Sequence, residues 1–127
     1  MKKALTLNNP DDLLEAVRTA RFAMVSAGFT IDDRSETGFT GTKGSLASTF
    51  VFGWLAGHEL LTIQYVDGVL NPDGTAVIRV SRHLVDDALS EKYLGPPKLQ
   101  IEFDASVSRI ARALDEARLL ARGDSQG

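Results

Sequence analysis

Towards its C-terminal end the chain carries one long apolar stripe. Leu99, Phe103, Val107, Ile110, Leu114, Ala117 and Ala121 recur at steps of four and three, the spacing that lines up side chains on one face of a helix. The stripe covers about six turns at 3.6 residues per turn. Pro97 suits a first helical position, where no backbone N–H is needed. Gly123 suits the residue after the last turn. Arg112 with Glu116, and Asp115 with Arg118, are helical neighbours of opposite charge. In a chain of 127 residues a helix of this length has to cover its apolar face with something that the earlier residues build.

The earlier residues build strands. Leu61, Ile63 and Tyr65 alternate with Thr62 and Gln64, and Ala76, Ile78 and Val80 alternate with Val77, Arg79, Ser81 and His83. Between the two runs lie Asp67-Gly68 and Asn71-Pro72-Asp73-Gly74, both turn signals. The pattern predicts an antiparallel hairpin with one buried and one wet face. Two shorter strands are expected around Phe29 and Ile31 and over 37–43, separated by turn chemistry at Asp32 to Ser35. Gly38, Gly41 and Gly44 weaken the second.

A first helix is marked over 10–27. Asn9 is a good N-cap, Pro10 fits the first position, and Asp11 and Asp12 sit against the positive end of the dipole. Leu13, Val17, Ala20, Met24 and Ala27 form its apolar stripe, and Gly28 follows its end. Residues 46–57 carry no charge. Leu46, Phe50 and Trp54 align as a helix, while Phe50, Phe52 and Trp54 align as a strand; the helix is the preferred reading. A short helical turn is expected within 85–94.

The order α-β-β-(α)-β-β-(α)-α predicts an α+β fold: an antiparallel sheet of about four strands in hairpins, flanked by an N-terminal helix and a long C-terminal helix. Residues 1–127 are expected to form a single domain, with a disordered tail from about 124.

Composition narrows the function classes. A net charge of −3 and a pI near 5.3 lack the basic footprint of a nucleic-acid binder. The absence of cysteine excludes disulfides, thiolate metal sites and a Cys nucleophile. Lys2 and Lys3 precede only Ala4 to Leu7 before Asn8, too short an apolar run for a signal core, and no segment reaches the length of a membrane span. The expected location is cytoplasmic.

No pattern of catalysis stands out. Gly38 to Ser45 resembles a phosphate loop, but Lys43 precedes the last glycine, and a flexible glycine-rich connection is the expected structure. The two histidines, His58 and His83, have no ligand spacing, so no metal or cofactor is expected. Asp11-Asp12, Asp32-Asp33 and Asp86-Asp87 are adjacent pairs that do not converge on one target. The expected role is a non-enzymatic interaction or assembly module, a homodimer or a binder of another protein, pairing through the uncharged segment or a sheet edge. A carrier of a small apolar molecule is the alternative. Its cavity would lie between the sheet and the last helix, lined by Phe50, Trp54, Tyr65, Phe103 and Ile110. An enzyme using Arg79 and His83 on the wet strand face is a third reading.

Overall fold

A computed structural model describes residues 1–43, 62–82 and 96–121. Strand β1 (Lys2–Thr6) opens the chain, followed by a single 3-10 turn (Pro10–Asp12) and helix α1 (Leu13–Ser26). Strands β2 (Thr30–Ser35), β3 (Gly38–Lys43), β4 (Thr62–Leu70) and β5 (Ala76–Ser81) follow, and helix α2 (Pro96–Glu116) comes last. All neighbouring strands are antiparallel, in the order β1-β5-β4-β3-β2. The class is the expected α+β, with five strands where four were expected.

The additional strand is β1. Its run Lys-Lys-Ala-Leu-Thr has one buried position, Leu5, and therefore no alternation to read. Pairing of Leu5 with Ile78 places it beside β5, at the edge of the meander that β2 to β5 form.

One face of the sheet makes the core. Leu5, Phe39, Val66, Ile78 and Val80 join Val17, Ala20 and Met24 of α1 and Phe103, Val107, Ile110 and Leu114 of α2 in a single buried cluster. Both helices therefore lie on the same side. Burial of each large side chain contributes about 1.5–3 kcal/mol. The alternation of β5 is as expected, with Ala76, Ile78 and Val80 inward. In β4 the faces are reversed. Gln64 and Val66 point to the helices, and Ile63 and Tyr65, only partly buried, point away.

The expected start at Pro10 is a 3-10 turn and not yet α1: Asn9 Oδ1 accepts from the Asp11 backbone N–H at 3.0 Å, Pro10 opens that turn, and α1 continues from Leu13 with no side-chain cap bond at Asp12. The helix ends before Gly28, whose φ of +96° is a conformation glycine adopts without penalty. Two turn signals resolve differently. Asp32 to Ser35 belongs to β2, with a bulge between Asp33 and Ser35, and the reversal falls at Glu36 and Thr37. Residues 38–43 form the strand expected over 37–43, an interior one paired on both sides, so over these residues the glycine-rich stretch is no flexible connection. Asp67-Gly68 lies inside β4. There Gly68 serves close approach: a Cβ on it would come within 2.7 Å of Val17 Cγ2 and 2.9 Å of Leu13 Cδ1. The true β4–β5 turn is at Asn71 to Thr75. Thr75 donates from its hydroxyl (2.6 Å) and its backbone N–H (3.0 Å) to Asp73 Oδ1, and these bonds hold the exposed Asp73 carboxyl below its ordinary range.

Helix α2 stops at Glu116, short of the expected Gly123. Arg118 takes a left-handed φ of 61°, Leu119 N–H donates to Leu114 O (2.8 Å) and Arg118 N–H to Asp115 O (2.9 Å). This is a Schellman ending, with Leu119 buried over the buried Leu114 as its apolar contact. The next residues reach the sheet. Leu120 bridges Leu7, and the Ala121 N–H donates to Thr6 O at 2.9 Å. The segments 46–57 and 85–94, and the tail from 124, lie outside the described residues.

Two substitutions test this packing. Gly68→Ala should lower stability by about 1–3 kcal/mol, because Val17 and Leu13 have to retreat; a urea midpoint equal to that of the parent would mean α1 does not sit this close. Arg118→Gly should raise stability by about 0.5–1 kcal/mol, since glycine relieves the left-handed penalty that exceeds its extra unfolded-state entropy. A midpoint that falls would show that the Arg118 side chain contributes more than its backbone costs.

Candidate functional site

The seven residues expected to carry a site are divided by the fold. Phe103 and Ile110 are buried in the core between α2 and the sheet. Tyr65 and Arg79 sit on the opposite face of the sheet, so Tyr65 does not share a lining with Phe103 and Ile110. Phe50, Trp54 and His83 lie outside the described residues, as do His58 and the segment that begins at Gly44.

Tyr65 and Arg79 belong instead to a polar cluster centred on Arg34. The bulge in β2 turns Arg34 across the second face of the sheet. Its guanidinium donates to Phe39 O (2.9 Å), Val66 O (3.4 Å) and Asp67 Oδ1 (3.0 Å), and lies 5.5 Å from the centre of the Tyr65 ring. Arg79 is registered opposite Asp67 in the β4–β5 ladder. Gly38 makes room for this arrangement, because a Cβ there would collide with Asp67 Oδ1. With two main-chain carbonyls and a carboxylate among its acceptors, Arg34 clamps three strands together.

On the helix face, one end of the interlayer is polar. Tyr65 pairs with Ser81, and the next residues along, Gln64 and Arg82, are both buried, at 0% and 5% exposure. The Arg82 backbone N–H donates to Met1 O at 3.1 Å. Among the described residues both atoms of the Gln64 amide are without a hydrogen-bond partner. A buried amide left in this state costs about 1–3 kcal/mol. Gln64 reads in sequence as the wet member of an alternating strand, and only the packed sheet shows it turned inward.

The third feature is the outer surface of the helix pair. Phe22 is 73% exposed, on the side of α1 away from the sheet, and Leu14 and Val25 on the same helix are about half exposed. Phe22 lines a groove of about 540 Å³ between α1 and α2. Small residues, Ala23, Ala27, Ala113 and Ala117, form much of the groove wall, with Arg109, Arg112 and Glu116 along its α2 side. Arg109, Arg112 and Glu116 have no ion-pair partner among the described residues, so the expected Arg112–Glu116 pair does not form. Arg21, by contrast, is committed to Asp33 through two bonds of 3.0 and 3.2 Å. The sequence does hold a signal for this surface: Leu14, Phe22 and Val25 form a second apolar line, out of phase with the core stripe.

Among the described residues no three His, Asp or Glu side chains gather as metal ligands, and no helix is long and apolar enough to cross a membrane. No protein-family model matches the chain, and no curated protein matches it.

Replacement of Gln64 by methionine keeps the approximate length of the side chain and removes the unmet amide. Gln64→Met should stabilise the protein by about 1–2 kcal/mol in urea unfolding. A loss of stability of that size would show that the amide is satisfied in solution.

Proposed function

We propose that the chain is a non-enzymatic interaction module that docks through the outer face of its helix pair. The observation that carries this reading is Phe22. A phenylalanine 73% exposed on a regular helix, beside a groove walled by alanines, leaves apolar surface in water that a partner would cover.

The edges of the sheet are poorer docking places. Strand β2, at one edge, is exposed along almost its whole length and carries Asp32, Asp33 and Arg34. Strand β1, at the other, presents Lys2 and Lys3, and its far end is already occupied by Leu120 and Ala121. Charges along an edge discourage the addition of a further strand. Two of the polar features described above have partners within the fold. Arg34 donates through Nη2 to three acceptors of its own sheet, and Asp73 belongs to a turn. Of the two routes expected from sequence, pairing through a sheet edge is the less favoured; pairing through residues 46–57 concerns a segment outside the described residues.

Site-specific photo-crosslinking tests the reading. A benzophenone amino acid at position 22 should give a discrete covalent adduct on irradiation in the cells that make the protein. The same group at position 101, where Ile101 is comparably exposed at 67% on α2, serves as the control. An adduct at position 22 and none at position 101 supports docking at the helix pair; no adduct at position 22 refutes it.

A further inference from the structure

We propose that the partner of this face is a second copy of the chain. The two copies pack about a two-fold axis, with their helix layers together and α2 antiparallel to α2 of the partner subunit. The proposal rests on the docking face assigned above and adds the identity and geometry of what covers it.

A two-fold interface has to be complementary to itself. This face meets that requirement in shape. It carries a projection, Phe22, and beside it a recess walled by Ala23, Ala27, Ala113 and Ala117, within one groove of about 540 Å³. With the axis lying across the helices, each copy offers the other one projection and one recess. The helices then form two inner layers, and the sheets lie outside.

The face also meets the requirement in charge. Along α2 the groove presents Arg109 and Arg112, then Glu116 one turn later. All three are exposed and lack ion-pair partners among the described residues. Antiparallel packing reverses this order in the second copy. Arg112 then falls beside Glu116 of the partner subunit, and symmetry repeats the contact with the roles exchanged. Arg21, the nearby cation of α1, is held by Asp33 of its own copy and does not compete. A copy reversed about the level of Leu114 thus satisfies Arg112 and Glu116 and leaves Arg109 outside the pairing. A partner of unrelated sequence gives no reason for the arrangement to be self-matching.

Charge reversal tests both the partner and the direction of packing. Arg112→Glu and Glu116→Arg alter exposed positions, and circular dichroism checks that each variant keeps its fold. Sedimentation velocity of the parent at high micromolar concentration should show a dimer. In either variant alone both symmetric contacts become repulsive, and dissociation should weaken the dimer by about tenfold or more, the scale expected for two exposed pairs changed from attraction to repulsion. An equimolar mixture of the two variants should recover the parent affinity, because one chain then offers two glutamates and the other two arginines. A parent that stays monomeric overturns the proposal. A dimer whose two variants gain nothing on mixing also overturns it, by removing the antiparallel arrangement. The crosslink at position 22 separates the two failures: an adduct with a different protein from a monomeric parent leaves the docking face standing and removes only the second copy.

Discussion

The structure depends on how closely α1 approaches the sheet. The helix crosses β2 to β5, and at two places the strand beneath it has no side chain. At Gly68 the methyl groups of Val17 and Leu13 occupy the space of a Cβ, and at Gly41 the Met24 methyl would stand 2.9 Å from one. Large side chains at these positions would lift the helix by the thickness of a methyl group. Packed interiors do not absorb such a change without moving neighbours. The seat of α1 sets the surface against which Ile110 and Leu114 of α2 close the core. It also leaves Phe22, on the far side of the same helix, facing outward.

The second helix is anchored differently. Its body is held by a buried apolar stripe, and its end by backbone geometry. The Schellman turn at Arg118 directs Leu119 back over Leu114 and delivers Leu120 to the edge of β1. One short stretch of chain thus ends a helix, fills the core and occupies part of a sheet edge. The remaining edges are charged, and of the exposed large apolar side chains among the described residues three, Leu14, Phe22 and Val25, lie on α1, with Leu70 on β4 and Ile101 on α2. The functional reading follows from Phe22, the most exposed of these side chains, beside the groove between the helices.

What the sequence conveyed depended on whether a residue's role was local. The cap at Asn9, the stripe of α1 and the inward face of β5 are set by neighbours within a few residues, and all were readable. Gly68 was not, because aspartate-glycine is a turn signal until a helix from another part of the chain lies over it. Gln64 was misread for the same reason: alternation assigns the polar residue to water, and the packed sheet turns it to the core. Strand β1 has a single buried side chain and exists through its pairing with β5, so nothing local announces it. The end of α2 was overestimated because Ala117 and Ala121 continue the apolar spacing, whereas the backbone at Arg118 has already turned away. For the site, the expected grouping of Tyr65 with Phe103 and Ile110 failed through the face reversal of β4. Phe22 was passed over because it does not belong to the core stripe.

The pairing of β1 with β5 bears on how the chain is made. Strands β2 to β5 are arranged as a meander with α1 above it, and each new strand can join its predecessor as synthesis proceeds. Leu5 is different. Its neighbour, Ile78, is supplied only by the last strand, and the residues that close over β1 are Leu119 and Leu120. Strand β1 is therefore made before its partner β5 and before the residues that close over it. Non-local pairings of this kind are the slow ones, and until β5 arrives Leu5 lacks the neighbour beside which it is buried.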